Sequence, residues 1–177
     1  MRTHIIVTAS GTDRPGVLEE FTKLLLAHDG NVEASRMAHL GGSFAMLMLV
    51  SAPKPKVADL QTALSELAGS DYEVHTRPTE PVEPQAGPGG WACGITVAGA
   101  DYLGIVHQIA SALADKGVNI ETLNTEVVAA PMSGTPLFTM SAVVTVPREL
   151  TLEGLREIVD RLGHELGVNI SVLSHGS

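Results

Sequence analysis

The chain has 177 residues, of which 44% are hydrophobic, 18% are charged and only 3% are aromatic. Its formal net charge of −9, without any cluster of Lys or Arg, argues against direct nucleic-acid binding, because phosphate contacts need concentrated positive charge. The single cysteine, Cys93, excludes an internal disulfide framework, and no run of about 18 apolar residues predicts a transmembrane helix.

The low aromatic content predicts a core built from Leu, Val, Ile, Met and Ala. The first residues, MRTHIIVTASGT, contain too short an apolar run for a signal peptide, so we expect a cytoplasmic protein. Cys93 falls in a predicted buried strand and is interpreted as structural. The histidines show no metal-binding spacing, and we expect neither a metal nor a cofactor.

The first half of the chain begins with a β-rich run, His4–Thr8, and a loop, Gly11–Gly16. Apolar residues then recur with the spacing of one helix face. Pro15 suits the first helical turn, Asp13 is a candidate N-cap and Gly30 is expected to end the helix.

The rest of the first half predicts two strands, a helix and a last strand. Phe44–Ser51 is a continuous apolar run, which indicates a central strand covered on both faces. The remaining elements are a strand at Asn31–His39, a helix with Leu60, Leu64 and Leu67 that ends near Gly69, and a strand at Tyr72–Thr76. The predicted order is β-α-β-β-α-β.

The second half repeats the first. Residues 8–33 and 96–121 align without a gap, at an offset of 88 residues (96 minus 8), and share seven identities. The identical pairs are Thr8/Thr96, Gly11/Gly99, Asp13/Asp101, Gly16/Gly104, Leu25/Leu113, Asn31/Asn119 and Glu33/Glu121. A repeat of this length suits a small domain better than a solenoid unit, so we infer two copies of one module.

The second module predicts the same order of elements. They are a strand at Cys93–Val97, a helix from Ile105 to Leu113, a strand at Ile120–Ala129, a hairpin loop near Pro131–Pro136, a strand ending at Pro147, a helix at Leu152–Leu166 and a strand at Val168–Leu173. Residues 77–91, which include RPTEPVEPQAGPGG, read as an extended linker between domains 1–76 and 92–177. We predict an α+β fold of two ferredoxin-like βαββαβ sandwiches in tandem.

Two repeated features suit ligand binding. Gly16 and Gly104 lie at helix entrances, where unpaired backbone N–H groups and the helix dipole attract an anion such as a carboxylate. Asn31 and Asn119 begin the next strand, and an Asn amide can hold either a carboxylate or an ammonium group. Together they suit a small zwitterion, although common fold geometry alone would also repeat turn glycines, capping Asp residues and turn asparagines.

The motifs that carry these residues resemble the ACT domain, a ferredoxin-like module that binds amino acids and other small effectors. They are D-R-P-G-V-L-E-E-F with H-D-G-N-V-E, and D-Y-L-G-I-V-H-Q-I with K-G-V-N-I-E, where Leu103 replaces the proline. A pair of such domains without an attached enzyme is similar to the glycine-cleavage-system regulatory family. Members of that family act in amino-acid-responsive transcriptional control by contacting a separate DNA-binding protein.

The resemblance implies paired sheets, with ligands bound where the β1–α1 loop of one domain meets the β2 start of its neighbour. The implied ligand-binding residues are Asp13, Pro15, Gly16, Asn31 and Val32 in one site and Asp101, Gly104, Asn119 and Ile120 in the other. Leu103 leaves the second loop without the fixed φ of proline, so that loop is either a weaker site or only a structural turn.

The favoured function is therefore a non-catalytic regulator that binds a small amino acid, with glycine and serine both suitable. It would act, as a homodimer, on a partner such as a DNA-binding transcription factor. One alternative is a pure protein–protein interaction module with vestigial ligand sites. A second alternative, an enzyme or enzyme subunit, is disfavoured because the sequence shows no paired acid–base or nucleophile set.

Overall fold

A computed structural model describes residues 1–67, 72–80, 90–129 and 134–174. The chain divides into two compact units, Met1–Glu83 and Pro84–Ser177, which correspond to the two modules of the sequence repeat. Each unit carries one four-stranded sheet and its own hydrophobic core.

The first unit has the order β-α-β-β-α-β. Its elements are β1 (Arg2–Thr12), α1 (Val17–Ala27), β2 (Asn31–Leu40), β3 (Ser43–Pro53), a short 3₁₀ helix (Lys54–Lys56), α2 (Val57–Leu67) and β4 (Tyr72–Thr79). The antiparallel sheet has the strand order β2-β3-β1-β4. This arrangement is a ferredoxin-like sandwich, as the sequence predicts.

The core of the first unit forms between one sheet face and the two helices. Alternate residues of β1 and β3, such as Ile5 and Met48, are buried, and α1 adds one buried stripe, Val17, Phe21 and Leu25. Side chains alternate between the two faces of a strand and return to the same face of a helix about every 3.6 residues. A helix packed on a sheet therefore buries every second strand residue and about every fourth helix residue.

The second unit repeats this architecture. Its elements are β5 (Trp91–Ala100), α3 (Ile105–Ala114), β6 (Asn119–Ala129), β7 (Pro136–Val146), α4 (Leu152–Leu166) and β8 (Val168–Ser174), and the strand order is β6-β7-β5-β8. The predicted α+β class and the tandem of two such sandwiches are confirmed. Cys93 is fully buried in β5, as expected, and burial raises the pKa of its thiol.

Three sequence expectations need correction. β3 is central, but it is not covered on both faces, since Leu47 is 46% exposed on the face away from the core. The first core is not purely aliphatic, because the ring of Tyr72 packs against Phe21 and Phe44 with centroids 5.8 and 5.7 Å apart. β4 continues to Thr79 and therefore enters the segment assigned to the linker.

Some predicted features lie outside the described residues. These are the end of α2 near Gly69, most of the linker and half of the loop near Pro131–Pro136. β5 begins at Trp91, the last residue of the expected linker, where the indole N–H donates to the Leu150 carbonyl at 3.0 Å.

Candidate functional site

In both modules, the N-cap residue of the first helix is a glycine. Gly16 (φ 96°, ψ −8°) precedes α1 and Gly104 (φ 91°, ψ 1°) precedes α3, and neither helix receives a capping hydrogen bond from a side chain. By contrast, Thr151 caps α4 by accepting a hydrogen bond from the N–H of Gly154 at 3.1 Å. The left-handed conformation favours glycine, and the absence of a side-chain cap leaves helix N–H groups available to an anion.

Asp13 is not the N-cap that the sequence suggested. Its backbone N–H donates to the Gly42 carbonyl at 3.0 Å, and a carboxylate oxygen lies 3.6 Å from Nε2 of His39. Asp101 anchors its own loop in the same way, with its N–H donating to the Pro136 carbonyl at 3.3 Å. The two aspartates therefore tie each helix-entrance loop (residues 13–16 and 101–104) to the neighbouring β-hairpin.

The residue before each glycine differs between the modules without changing the backbone that follows. Pro15 lies in the turn before α1 rather than in its first helical turn, because the helix begins at Val17. Leu103 takes its place in the second loop and is fully exposed, yet Gly104 keeps nearly the conformation of Gly16. The proline is therefore not needed for the shape of the helix entrance.

A polar clamp holds the first loop, and the sequence analysis missed it. Arg14 forms an ion pair with Glu20 at 2.8 Å, and its guanidinium carbon lies 5.6 Å from the centre of the Tyr72 ring. The Tyr72 hydroxyl donates to Glu20 at 3.3 Å. Glu20 therefore supports the loop, and the clamp restrains the backbone that leads to Gly16.

The second loop borders a cleft of about 450 Å³ instead. Asp101 and Gly104 line this cleft, together with Tyr102, which occupies the sequence position of Arg14. The Tyr102 hydroxyl is buried and has no hydrogen-bond partner within the described part of the chain. An unpaired buried hydroxyl costs free energy, so a ligand or water in the cleft that accepts its hydrogen bond would be stabilised there.

The second group of predicted residues lies at the opposite end of each sheet. Asn31 of β2 pairs with Ser51 of β3, and Ser51 pairs with His4 of β1. The helix-entrance loop begins after Thr12, at the other end of β1. Eight residue steps along β1 separate the two levels, or about 26 Å at ~3.3 Å per step. The structure thus places Asp13, Pro15 and Gly16 together but does not bring them to Asn31 and Val32 within one module.

The same separation holds in the second module, where Asn119 is level with Thr145 and Ala92, and the loop follows Ala100. Val32 and Ile120 point toward the cores and pack against them. Asn31 and Val32 line a largely apolar cleft of about 570 Å³ beside α1, whose exposed Leu26 forms part of the wall.

Each asparagine donates a hydrogen bond to a glutamate two residues later. Nδ2 of Asn31 lies 3.0 Å from Oε1 of Glu33, and Nδ2 of Asn119 lies 2.6 Å from Oε1 of Glu121. In the first module, Oε1 of Glu33 also accepts a hydrogen bond from the Ser51 hydroxyl at 2.5 Å. The hydrogen bonds from Ser51 and then from Asn31 hold the pKa of the Glu33 carboxyl below its usual value.

We predict that ionised Glu33 contributes an acid-sensitive part of the stability. Because its pKa is lowered in the folded state, the contribution is present above its unfolded pKa near 4.5 and disappears as the pH falls through the folded pKa. Glu33→Gln should therefore lower the melting temperature near pH 7, and the difference from the wild type should shrink as the pH falls below 4.5. A wild-type–variant difference that stays constant across this pH range would contradict the prediction.

No group of three or more His, Cys, Asp or Glu residues in the described part of the chain is arranged to hold a metal ion. Within those residues, no helix is long and apolar enough to cross a membrane.

Comparison with known proteins places this geometry in a family. A sequence model of the ACT domain matches residues 3–76, the first module. The glycine cleavage system transcriptional repressor of Escherichia coli K12 is 31% identical over 71 residues. That match covers 40% of this chain and 37% of the repressor, so it spans little more than a third of the repressor's length. A UPF0237 protein of Methanococcus maripaludis is 33% identical over 73 residues, which cover 40% of this chain and 80% of that protein.

Two solved structures match both modules together. A protein of unknown function from Galdieria sulphuraria has a TM-score of 0.83 and 35% identity, with 98% of each chain covered. A protein provisionally named as a glycine cleavage system transcriptional repressor has a TM-score of 0.69 and 25% identity, covering 97% of this chain and 96% of that one. The curated relatives that carry a functional name are regulators. From the matched first module, the repeated fold of the second and these full-length likenesses, we conclude that this chain is a tandem ACT-domain protein and belongs to the ACT-domain family.

Proposed function

We propose that this protein is a non-catalytic regulator that binds a small amino acid through its ACT domains and thereby controls a protein partner. The observation that carries the proposal is the pair of open helix entrances, where Gly16 and Gly104 share one left-handed conformation and no side chain caps the helix. A free carboxylate fits such an entrance, since the N–H groups and the helix dipole stabilise negative charge there.

The other end of the ligand would meet Asn31 or Asn119. Because about 26 Å separates these residues from the helix-entrance loop of their own module, a site containing both needs two modules. We propose that a second copy of the chain supplies the missing half, so that the homodimer is the binding species. Glycine and serine are suitable ligands, since each offers a carboxylate and an ammonium group within a short span.

The proposed output is control of transcription through a separate DNA-binding protein in the cytoplasm. The printed name of the Escherichia coli relative, a transcriptional repressor, supports this direction. The net charge of −9 supports an indirect route, because an acidic chain is repelled by DNA phosphates but attracted by the basic surface of a DNA-binding protein. Ligand binding would order the helix-entrance loops and stabilise the dimer that the partner contacts.

The test is a thermal-shift screen of the full chain against the twenty amino acids at millimolar concentration. A ligand at 100 times its dissociation constant adds about 2.7 kcal/mol, and each kcal/mol raises the melting temperature of a small domain by about 4 °C or more. We expect a selective shift with one or a few small amino acids. Melting temperatures that no amino acid changes would contradict the ligand-binding part of the proposal.

A second function is favoured by one observation at the second loop. Leu103 is a fully exposed apolar side chain at the tip of a loop that follows a buried strand, and such a residue suits a protein contact. On this view the chain is a protein-interaction module whose ligand sites are vestigial. The flat outcome of the amino-acid screen would favour this function over the first.

A further inference from the structure

The hydrogen bond from asparagine to glutamate occurs in both modules, although most of the residues around it differ. Asn31 donates to Glu33 at 3.0 Å, and Asn119 donates to Glu121 at 2.6 Å. Both copies of the module thus keep the same pair at the start of the strand.

A β-bulge brings them together. The pairing of β2 with β3 shifts between Val32 and Ala34, so that Glu33 is the extra residue. The pairing of β6 with β7 shifts at the same place, between Ile120 and Thr122, and makes Glu121 the extra residue. A bulge re-aims the side chain of the inserted residue, and here it leaves the carboxylate within hydrogen-bond distance of the preceding asparagine.

The chemistry of the pair fixes which way the amide points. An ionised carboxylate only accepts hydrogen bonds, so only the NH₂ group of the asparagine can face it. The carbonyl oxygen, Oδ1, is then directed away from the glutamate. What the start of the strand offers to a ligand is therefore an acceptor oxygen, which can receive a hydrogen bond from an ammonium group but not from a carboxylate.

Further hydrogen bonds surround the glutamate of the first module. Ser51 donates to Oε1 of Glu33, and Ser51 itself accepts from Nε of Arg2 at 3.0 Å. In the second module, Thr145 stands opposite Asn119 as Ser51 stands opposite Asn31, and the sequence position of Arg2 is taken by Gly90, which has no side chain.

We infer that Glu33 and Glu121 are positioning residues, which turn Oδ1 of Asn31 and Asn119 outward so that the strand start binds the primary ammonium group of the ligand. This inference rests on the proposed function and deepens it by assigning the polarity of the bound amino acid. The ammonium group meets the asparagine, and the carboxylate is left to the helix entrance. Ligands whose nitrogen is acylated lose the positive charge and should be rejected.

The positioning step is tested first without any ligand. Side-chain amide NMR resonances of Asn31 and Asn119 are compared among the wild-type chain, Glu33→Gln with Glu121→Gln, and Glu33→Ala with Glu121→Ala. We expect one NH₂ proton of each asparagine to be shifted downfield and protected from exchange in the wild type, and both signs to be lost in the alanine variants. Unchanged amide resonances in folded alanine variants would overturn the positioning role.

The polarity step is tested by calorimetry with glycine against N-acetylglycine and with serine against N-acetylserine. We expect the wild-type chain to prefer the free amino acid at least tenfold. In the double glutamine variant that preference should fall about tenfold, because a glutamine NH₂ can donate to Oδ1 and let the asparagine turn its own NH₂ outward. Glu126→Gln serves as the control, because it removes one negative charge from an exposed position on β6. This variant should keep the wild-type preference.

The outcomes separate the two claims. If the wild type binds a free amino acid and the double glutamine variant keeps the full preference, the polarity assignment is wrong while the proposed function stands. If no free amino acid binds the wild type, the proposed function fails together with the ammonium assignment, and only the NMR result on the asparagine orientation remains.

Discussion

Gly16→Asp is expected to weaken binding of the amino-acid ligand at least tenfold while the chain stays folded. Gly16 forms the uncapped entrance of α1, and nothing lies within 4 Å of the position where a Cβ atom would be added. An aspartate there would direct a carboxylate into the place proposed for the ligand's carboxylate. Two like charges about 4 Å apart repel by up to about 4 kcal/mol near a protein surface, and solvent screening reduces this energy. A loss of about 1.4 kcal/mol is already enough to weaken the affinity tenfold.

Gly16→Asn is the matched control, because it has the same shape and the same positive φ but no charge. Asparagine and aspartate both tolerate the left-handed region better than other residues, so the backbone strain is shared by the two variants. Calorimetric affinities of the two should differ by the charge effect alone. Equal ligand affinity in Gly16→Asp and Gly16→Asn would mean that the carboxylate does not bind at this helix entrance.

Phe44→Ala is expected to destabilise the first module by about 3–5 kcal/mol, which is the usual cost of truncating a buried phenylalanine. Phe44 is 1% exposed at the start of β3 and packs edge-on against Tyr72, which in turn contacts Phe21. Small domains have a free energy of unfolding of only about 5–15 kcal/mol, so a large part of the module's stability would be lost. Urea unfolding followed by circular dichroism measures the change.

Leu40→Ala is the control for the core variant. Leu40 lies on the same hairpin as Phe44 but is 76% exposed, so its truncation should change the stability by no more than about 0.5 kcal/mol. Comparable losses in the two variants would contradict the assignment of Phe44 to the core. Because Tyr72 also supports Arg14 and Glu20 at the first loop, Phe44→Ala should weaken ligand binding as well.

The sequence predicts the fold well because the repeat and the spacing of apolar residues can be read directly along the chain. The spacing of Val17, Phe21 and Leu25 identifies the buried face of α1, and the same pattern at Ile105, Ile109 and Leu113 identifies that of α3. Leu18 is also apolar and adjoins this stripe, but it is 49% exposed. The covered state of β3 could not be predicted, because an apolar run does not reveal whether a second layer covers the outer face.

For the candidate site, the sequence predicts residue types but not distances. The shared motif contains Gly16 and Asn31, and the predicted β-α-β order already puts them at opposite ends of β1 and β2, but no local pattern encodes the register that sets the distance between them. The clamp on the first loop joins Glu20 to Tyr72, 52 residues apart in the sequence. The bulge at Glu33 was missed because almost every residue of β2 is exposed, so a one-residue shift leaves no trace in the hydrophobic pattern.

The central claim is that the chain binds a small amino acid at its helix entrances. Isothermal titration calorimetry, using the amino acid that gives the largest thermal shift, tests it most directly. We predict a saturable isotherm for the wild-type chain, with a dissociation constant in the micromolar to millimolar range, and at least a tenfold weaker one for Gly16→Asp combined with Gly104→Asp. Heats equal to those of dilution for the wild type, or an isotherm that the double variant leaves unchanged, would contradict the claim.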